Sequence, residues 1–170
     1  WQAVEPTTSR CVANAYSSSD TRQKPTCAAT IGRLGKGSVG AVYGPFGSMC
    51  RRSANPIARR FLQDVVRPLF PEPLVKMEGP PCIDVSIRRK GRTLLVHLAN
   101  TSNMQVAPEY PIIDWVPPVS PLVVEVASKA QPKAVHLEPG HQSVRARWSR
   151  GRVRVRIPSL DIHSVISISK

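Results

Sequence analysis

The second half of the chain alternates. In RVRVRI (152–157) every other residue is apolar, and CIDVSIRR (82–89), TLLVHLA (93–99), LVVEVA (122–127) and IHSVISI (162–168) keep the same beat. Period two is the spacing of a strand with one face buried; on a helix it would scatter the apolar side chains around the axis. Lys90-Gly91-Arg92 is a short glycine-bearing turn, so the two strands around it should pair as a hairpin. AVHL (134–137) and SVRARW (143–148) add further short strands, and Pro and Gly punctuate the series. Strands this short and this evenly spaced argue for an antiparallel β-sandwich over 74–170, not for βαβ units. Its expected core is Val85, Ile87, Leu94, Val96, Leu98, Val124, Val126, Val153, Val155, Ile157, Ile166 and Ile168.

The first part of the chain reads differently. Residues 1–30 are rich in Ser, Thr and Ala without period, which reads as loop of low order. In IGRLGKGSVGAVYGPFG (31–47) a short buried strand, Val39 to Tyr43, is fenced by glycines and Pro45. A helix is expected over 55–69. Asn55 can cap it, Pro56 suits its first position, and Ile57, Phe61, Leu62, Val65 and Leu69 make one apolar stripe. Pro68 stops it, and LFPEPLV with Pro71 and Pro73 is a stiff boundary. The expected organisation is therefore 1–70 and 74–170, in a mainly β chain with one linking helix.

Seventeen arginines and seven lysines against eleven acids give a net charge of +13. Such a charge invites a polyanion partner. Codon bias in a GC-rich genome also produces arginine over lysine, so charge alone does not identify a partner, and nucleic acid is disfavoured. No apolar run approaches the ~18 residues of a membrane helix. Residue 1 is Trp and no signal-peptide pattern follows, so the chain is expected to be a piece of a longer protein. Cys11, Cys27, Cys50 and Cys82 form no Cys-x-x-Cys pair, which speaks against zinc; three pairings, or free thiols, remain open.

The chemical motifs are few. GRLGKGS (32–38) lacks the glycine spacing of a phosphate loop, because Thr30 holds the first glycine position and Gly37 follows Lys36; it reads as a turn entering a strand. Ser38 is not in a nucleophile elbow, since Lys36 holds the first glycine position there. His97, His136, His141 and His163 show no helical pairing and read as hydrogen-bonded structural residues. Asp84, Asp114, Glu125, Glu138 and Asp161 are available carboxylates, but no spacing singles out the two that glycoside hydrolysis needs. No catalytic residue, metal site or cofactor is expected. The sharpest feature is arginine on one strand face: Arg152, Arg154 and Arg156, with Arg145 and Arg147 across the turn Ser149-Arg150-Gly151. These five are the candidate anion-binding residues, with a plain solvent face as the alternative.

A collinear series of phrases resembles a known family. CIDVSIRRKGRTLLVHLANTS, YPIIDWVPPVSPLVVEV, AVHLEPG and IPSLDIHSVISI are similar to the C-terminal β-sandwich of bacterial alpha-L-fucosidase-like and beta-galactosidase-like glycoside hydrolases. AATIGRLGKGSVGAVYGPFG resembles the end of the flavodoxin-like, trimerisation-type domain that precedes that sandwich, and the helix at 55–69 with LFPEPLV resembles its exit. The resemblance covers about residues 26–170. It implies a partial α/β fragment before the sandwich. It also implies a catalytic barrel upstream of Trp1, so that no catalytic residue falls on this chain. The function it implies is that of a non-catalytic accessory module serving packing and assembly. The partners would be the parent's barrel and, in a homo-oligomer, further copies; the parent would be secreted or periplasmic.

Overall fold

The computed structural model describes residues 2–53, 55–102 and 115–169. The chain is mainly β and divides into two compact units, Trp1–Glu72 and Pro73–Lys170.

The first unit is a three-stranded antiparallel sheet followed by two helices. β1 (Arg10–Ala15), β2 (Thr26–Leu34) and β3 (Gly37–Val42) pair in chain order. Gly35, at φ +57°, turns β2 into β3, so GRLGKGS is a hairpin turn. The loop reading of residues 1–30 fails at β1 and the start of β2. RCVANA has too few large apolar residues to alternate visibly, and a covalent bond supplies what the pattern lacks. Cys11 and Cys27 are disulfide-bonded, with Cα atoms 5.9 Å apart, while Cys50 and Cys82 are free thiols. The sheet is antiparallel throughout, whereas a flavodoxin-like sheet is mostly parallel.

Two helices stand where one was expected. α1 (Phe46–Ser53) opens at Pro45, whose carbonyl accepts from the Met49 N–H and the Ser48 hydroxyl. α2 (Pro56–Val66) is capped by Asn55, whose side-chain oxygen accepts from the N–H groups of Ile57 and Ala58 at 2.9 and 3.4 Å. It ends three residues before the expected stop. Phe46 and Phe61 stack with ring centres 4.0 Å apart and tie the helices together. Ala58 and Val65 are buried, but Ile57 is 77% exposed, so the apolar stripe is only partly covered. Gly40 lets α2 and the turn after it approach β3: a Cβ there would sit 3.4 Å from Val65 Cγ1 and 2.6 Å from Leu69 Cδ1.

The second unit is a two-sheet sandwich. One sheet has the order β10-β11-β7-β4, the other β5-β6-β12-β8-β9, and both are antiparallel. The strands are β4 (Val75–Glu78), β5 (Ile83–Lys90), β6 (Thr93–Asn100), β7 (Leu122–Ala127), β8 (Ala134–Glu138), β9 (Gln142–Ser143), β10 (Ala146–Ser149), β11 (Arg152–Ile157) and β12 (His163–Ser169). Val96, Leu98, Val124, Val126, Val153, Val155, Ile157 and Ile166 are fully buried between the sheets, and Leu122 and Leu160 join them. Val119 and Leu160 exchange two backbone hydrogen bonds of 2.9 Å. Two expected core residues depart from the pattern. Val85 is only partly buried, and Ile87 is exposed. β5 is the edge of its sheet, and alternation shows which face a residue points to but not whether the opposite sheet reaches far enough to cover it.

Candidate functional site

The arginine-bearing hairpin lies at the edge of the four-stranded sheet. Ser149 pairs with Arg152, so β10 turns into β11 through Arg150 and Gly151, at φ +50° and +74°. Two successive left-handed residues define the turn whose twist matches a hairpin, and Gly151 accepts that conformation without strain. Past the turn, Val153, Val155 and Ile157 face the core, so Arg152, Arg154 and Arg156 face outward. Arg147 stands directly opposite Arg154, and Arg154 opposite Glu125, which in turn faces Lys76. A row of charge thus crosses all four strands.

The arginines are not equivalent. Arg154 is compensated twice, by Glu125 at 2.6 Å and by Glu78 at 3.1 Å. Arg152 donates to the Pro73 carbonyl at 2.9 Å. Among the described residues Arg147 and Arg150 pair with no carboxylate. Arg147, Ser149, Arg150, Arg152, Arg154 and Glu125 line an open depression of about 490 Å³. The structure therefore gathers Arg147, Arg152 and Arg154 of the five candidates. Arg145 precedes β10 and is not in its paired register; Arg156 faces outward but does not line the depression. The sequence marks Arg150 only as a turn residue. Its place in the depression follows from the two-residue turn, which sequence spacing alone does not specify.

The carboxylates are dispersed. Glu125 is bound to Arg154, and Glu138 accepts from the His141 ring at 2.6 Å and from its backbone N–H at 2.8 Å. That ring hydrogen bond, chiefly, holds the Glu138 carboxyl below the ordinary glutamate range. Asp84 lies on the outward side of edge strand β5, Asp161 faces Ser159, and Asp114 lies outside the described residues. The depression on the arginine face contains one carboxylate, Glu125.

The histidines form two pairs on the second sheet. His97 Nδ1 and His163 Nε2 are 3.3 Å apart, and the His136 and His141 rings stack at 3.9 Å. Among the described residues no group of three or more His, Cys, Asp or Glu side chains could hold a metal ion. No helix there is long and apolar enough to cross a membrane.

One comparison places the fold. Over 88% of its length the chain superposes on alpha-L-fucosidase isoenzyme 2 from Paenibacillus thiaminolyticus, with a TM-score of 0.71 and 17% sequence identity. The two share a fold. The aligned part is 23% of the fucosidase chain, so this chain spans less than a quarter of that enzyme's length. No protein-family model and no curated protein sequence matches the chain.

Proposed function

We propose that the chain is a non-catalytic accessory module of a glycoside-hydrolase-like protein, equivalent to the C-terminal part of such an enzyme, and that its work is packing and assembly. The observation that carries this reading is the lopsided coverage, 88% of this chain against 23% of an alpha-L-fucosidase. The carboxylates support it. Glycoside cleavage uses two carboxyl groups about 5–10 Å apart across a sugar, and here Glu125 and Glu138 are each engaged by a basic side chain.

The first unit supports the packing role. Among the described residues neither edge of its three-stranded sheet is paired with a further strand, and Leu34, Val39, Ile57, Val66 and Phe70 are all exposed on this unit. Apolar side chains in such numbers are what a covering domain would bury. Hydrogen exchange tests this on the chain alone and within its parent polypeptide. Slowed exchange over 34–43 and 56–70 in the parent is expected; identical exchange in both would refute a packing role.

A further inference from the structure

We propose that the outward face of the β10-β11-β7-β4 sheet, at the β10–β11 turn, binds an anionic glycan. Its sulfate or carboxylate groups would sit at Arg147 and Arg150, in the depression that Arg152 and Arg154 also line. This goes beyond the packing role, which concerns other surfaces.

The charge layout argues for a ligand. Like charges directly opposite on neighbouring strands destabilise a sheet, and Arg147 faces Arg154. The sheet relieves only one of the two, spending Glu78 and Glu125 on Arg154 while Arg147 and Arg150 receive no carboxylate among the described residues. An anion in the depression completes the compensation. The lining is guanidinium rather than ammonium, and the planar fork matches two oxygens of a sulfate or carboxylate at once. The backbone fixes where the arginines leave the sheet: three are on paired strands and Arg150 is in the tight turn. The charges therefore border one depression instead of spreading over a flat sheet.

The same surroundings favour a glycan over a nucleic acid. Single strands bind by stacking bases on aromatic rings. The ring on this hairpin, Trp148, pairs with Val153 on the opposite side of β10 from Arg147, and its indole N–H is held by the Ser128 carbonyl at 3.1 Å. Glu125 also lines the depression. Its carboxylate, held by Arg154 at 2.6 Å, can also accept from sugar hydroxyls, which a glycan offers all along its length, and the Ser149 hydroxyl extends the polar lining.

The test uses the full chain with dextran sulfate, polygalacturonate, neutral dextran and duplex DNA, at about 0.15 M salt where diffuse surface attraction is largely screened. Binding to dextran sulfate or to polygalacturonate, and none to dextran, is expected; which of the two binds identifies the acidic group. Arg147→Ala with Arg150→Ala should weaken that binding about tenfold or more, as loss of two charge-assisted contacts implies. Arg88→Ala with Arg89→Ala, the same charge change on exposed β5, should leave it within about twofold. Arg147→Lys with Arg150→Lys keeps the charge and the fold but removes the fork, and should still weaken binding severalfold. Equal losses in the β5 and turn variants, full binding by the lysine variant, duplex DNA binding as tightly as either glycan, or no glycan binding at this salt would each overturn the proposal.

Discussion

Asn100 shows how much one buried polar side chain can organise. It is 7% exposed; its Nδ2 donates to the carbonyls of Pro117 and Asp161, both at 2.8 Å, and its Oδ1 accepts from the Ser102 N–H at 3.1 Å. Asn100→Ala strands two carbonyls and should cost about 2–3 kcal/mol in chemical denaturation, since buried groups left without a partner lose their solvation. Leu98→Ala, in the fully buried core, should cost about 2–4 kcal/mol through lost burial and a cavity. At Glu138 the carboxyl is held below its ordinary range, so its contribution is fully present above that range and is lost as the pH falls through it. The stability difference between the chain and Glu138→Gln should therefore shrink below about pH 4.3 in acid titrations; a difference that grows there would contradict this. Leu98 was legible from alternation. Asn100 was not, because the two carbonyls it donates to are 17 and 61 residues away in sequence.

At the scale of elements, strands were readable where large β-branched residues alternate, as in β11, and unreadable where they do not. β1 is the instructive case. Its residues are small, and what holds them to β2 includes the Cys11–Cys27 bond, sequence separation 16. The four cysteines left that pairing open because only the hairpin-like approach of β1 to β2 selects it. Cys11→Ser with Cys27→Ser should destabilise the first unit by about 3 kcal/mol, the chain-entropy value for a loop of this size. The second unit should melt unchanged. α2 illustrates a boundary error: the stripe continues to Leu69, but Pro68 and the turn after Val66 end the helix earlier. Gly40 faces Val65 of α2 and Leu69 just beyond it, so Gly40→Val should cost about 1–3 kcal/mol by overpacking against both. Of the arginine face, alternation gave Arg152, Arg154 and Arg156 their direction. It could not give the counter-charges, since Glu78 and Glu125 come from strands 76 and 29 residues distant from Arg154.

At the scale of the whole molecule, the fold is shared with part of a fucosidase, and the proposed accessory role requires no chemistry of the chain's own. The second unit has a closed apolar core and two sheets whose outward faces carry charge, and the first has a small sheet with open edges. The two carboxyls that come together on the second unit, Glu78 and Glu125, are both bound to the Arg154 guanidinium. Hydrolysis of aryl alpha-L-fucosides and aryl beta-galactosides by the purified chain is the most direct measurement. No turnover above the uncatalysed rate is expected for the chain or for Asp84→Asn, Glu125→Gln and Asp161→Asn. Turnover by the chain that disappears in any one of those variants would contradict the accessory role.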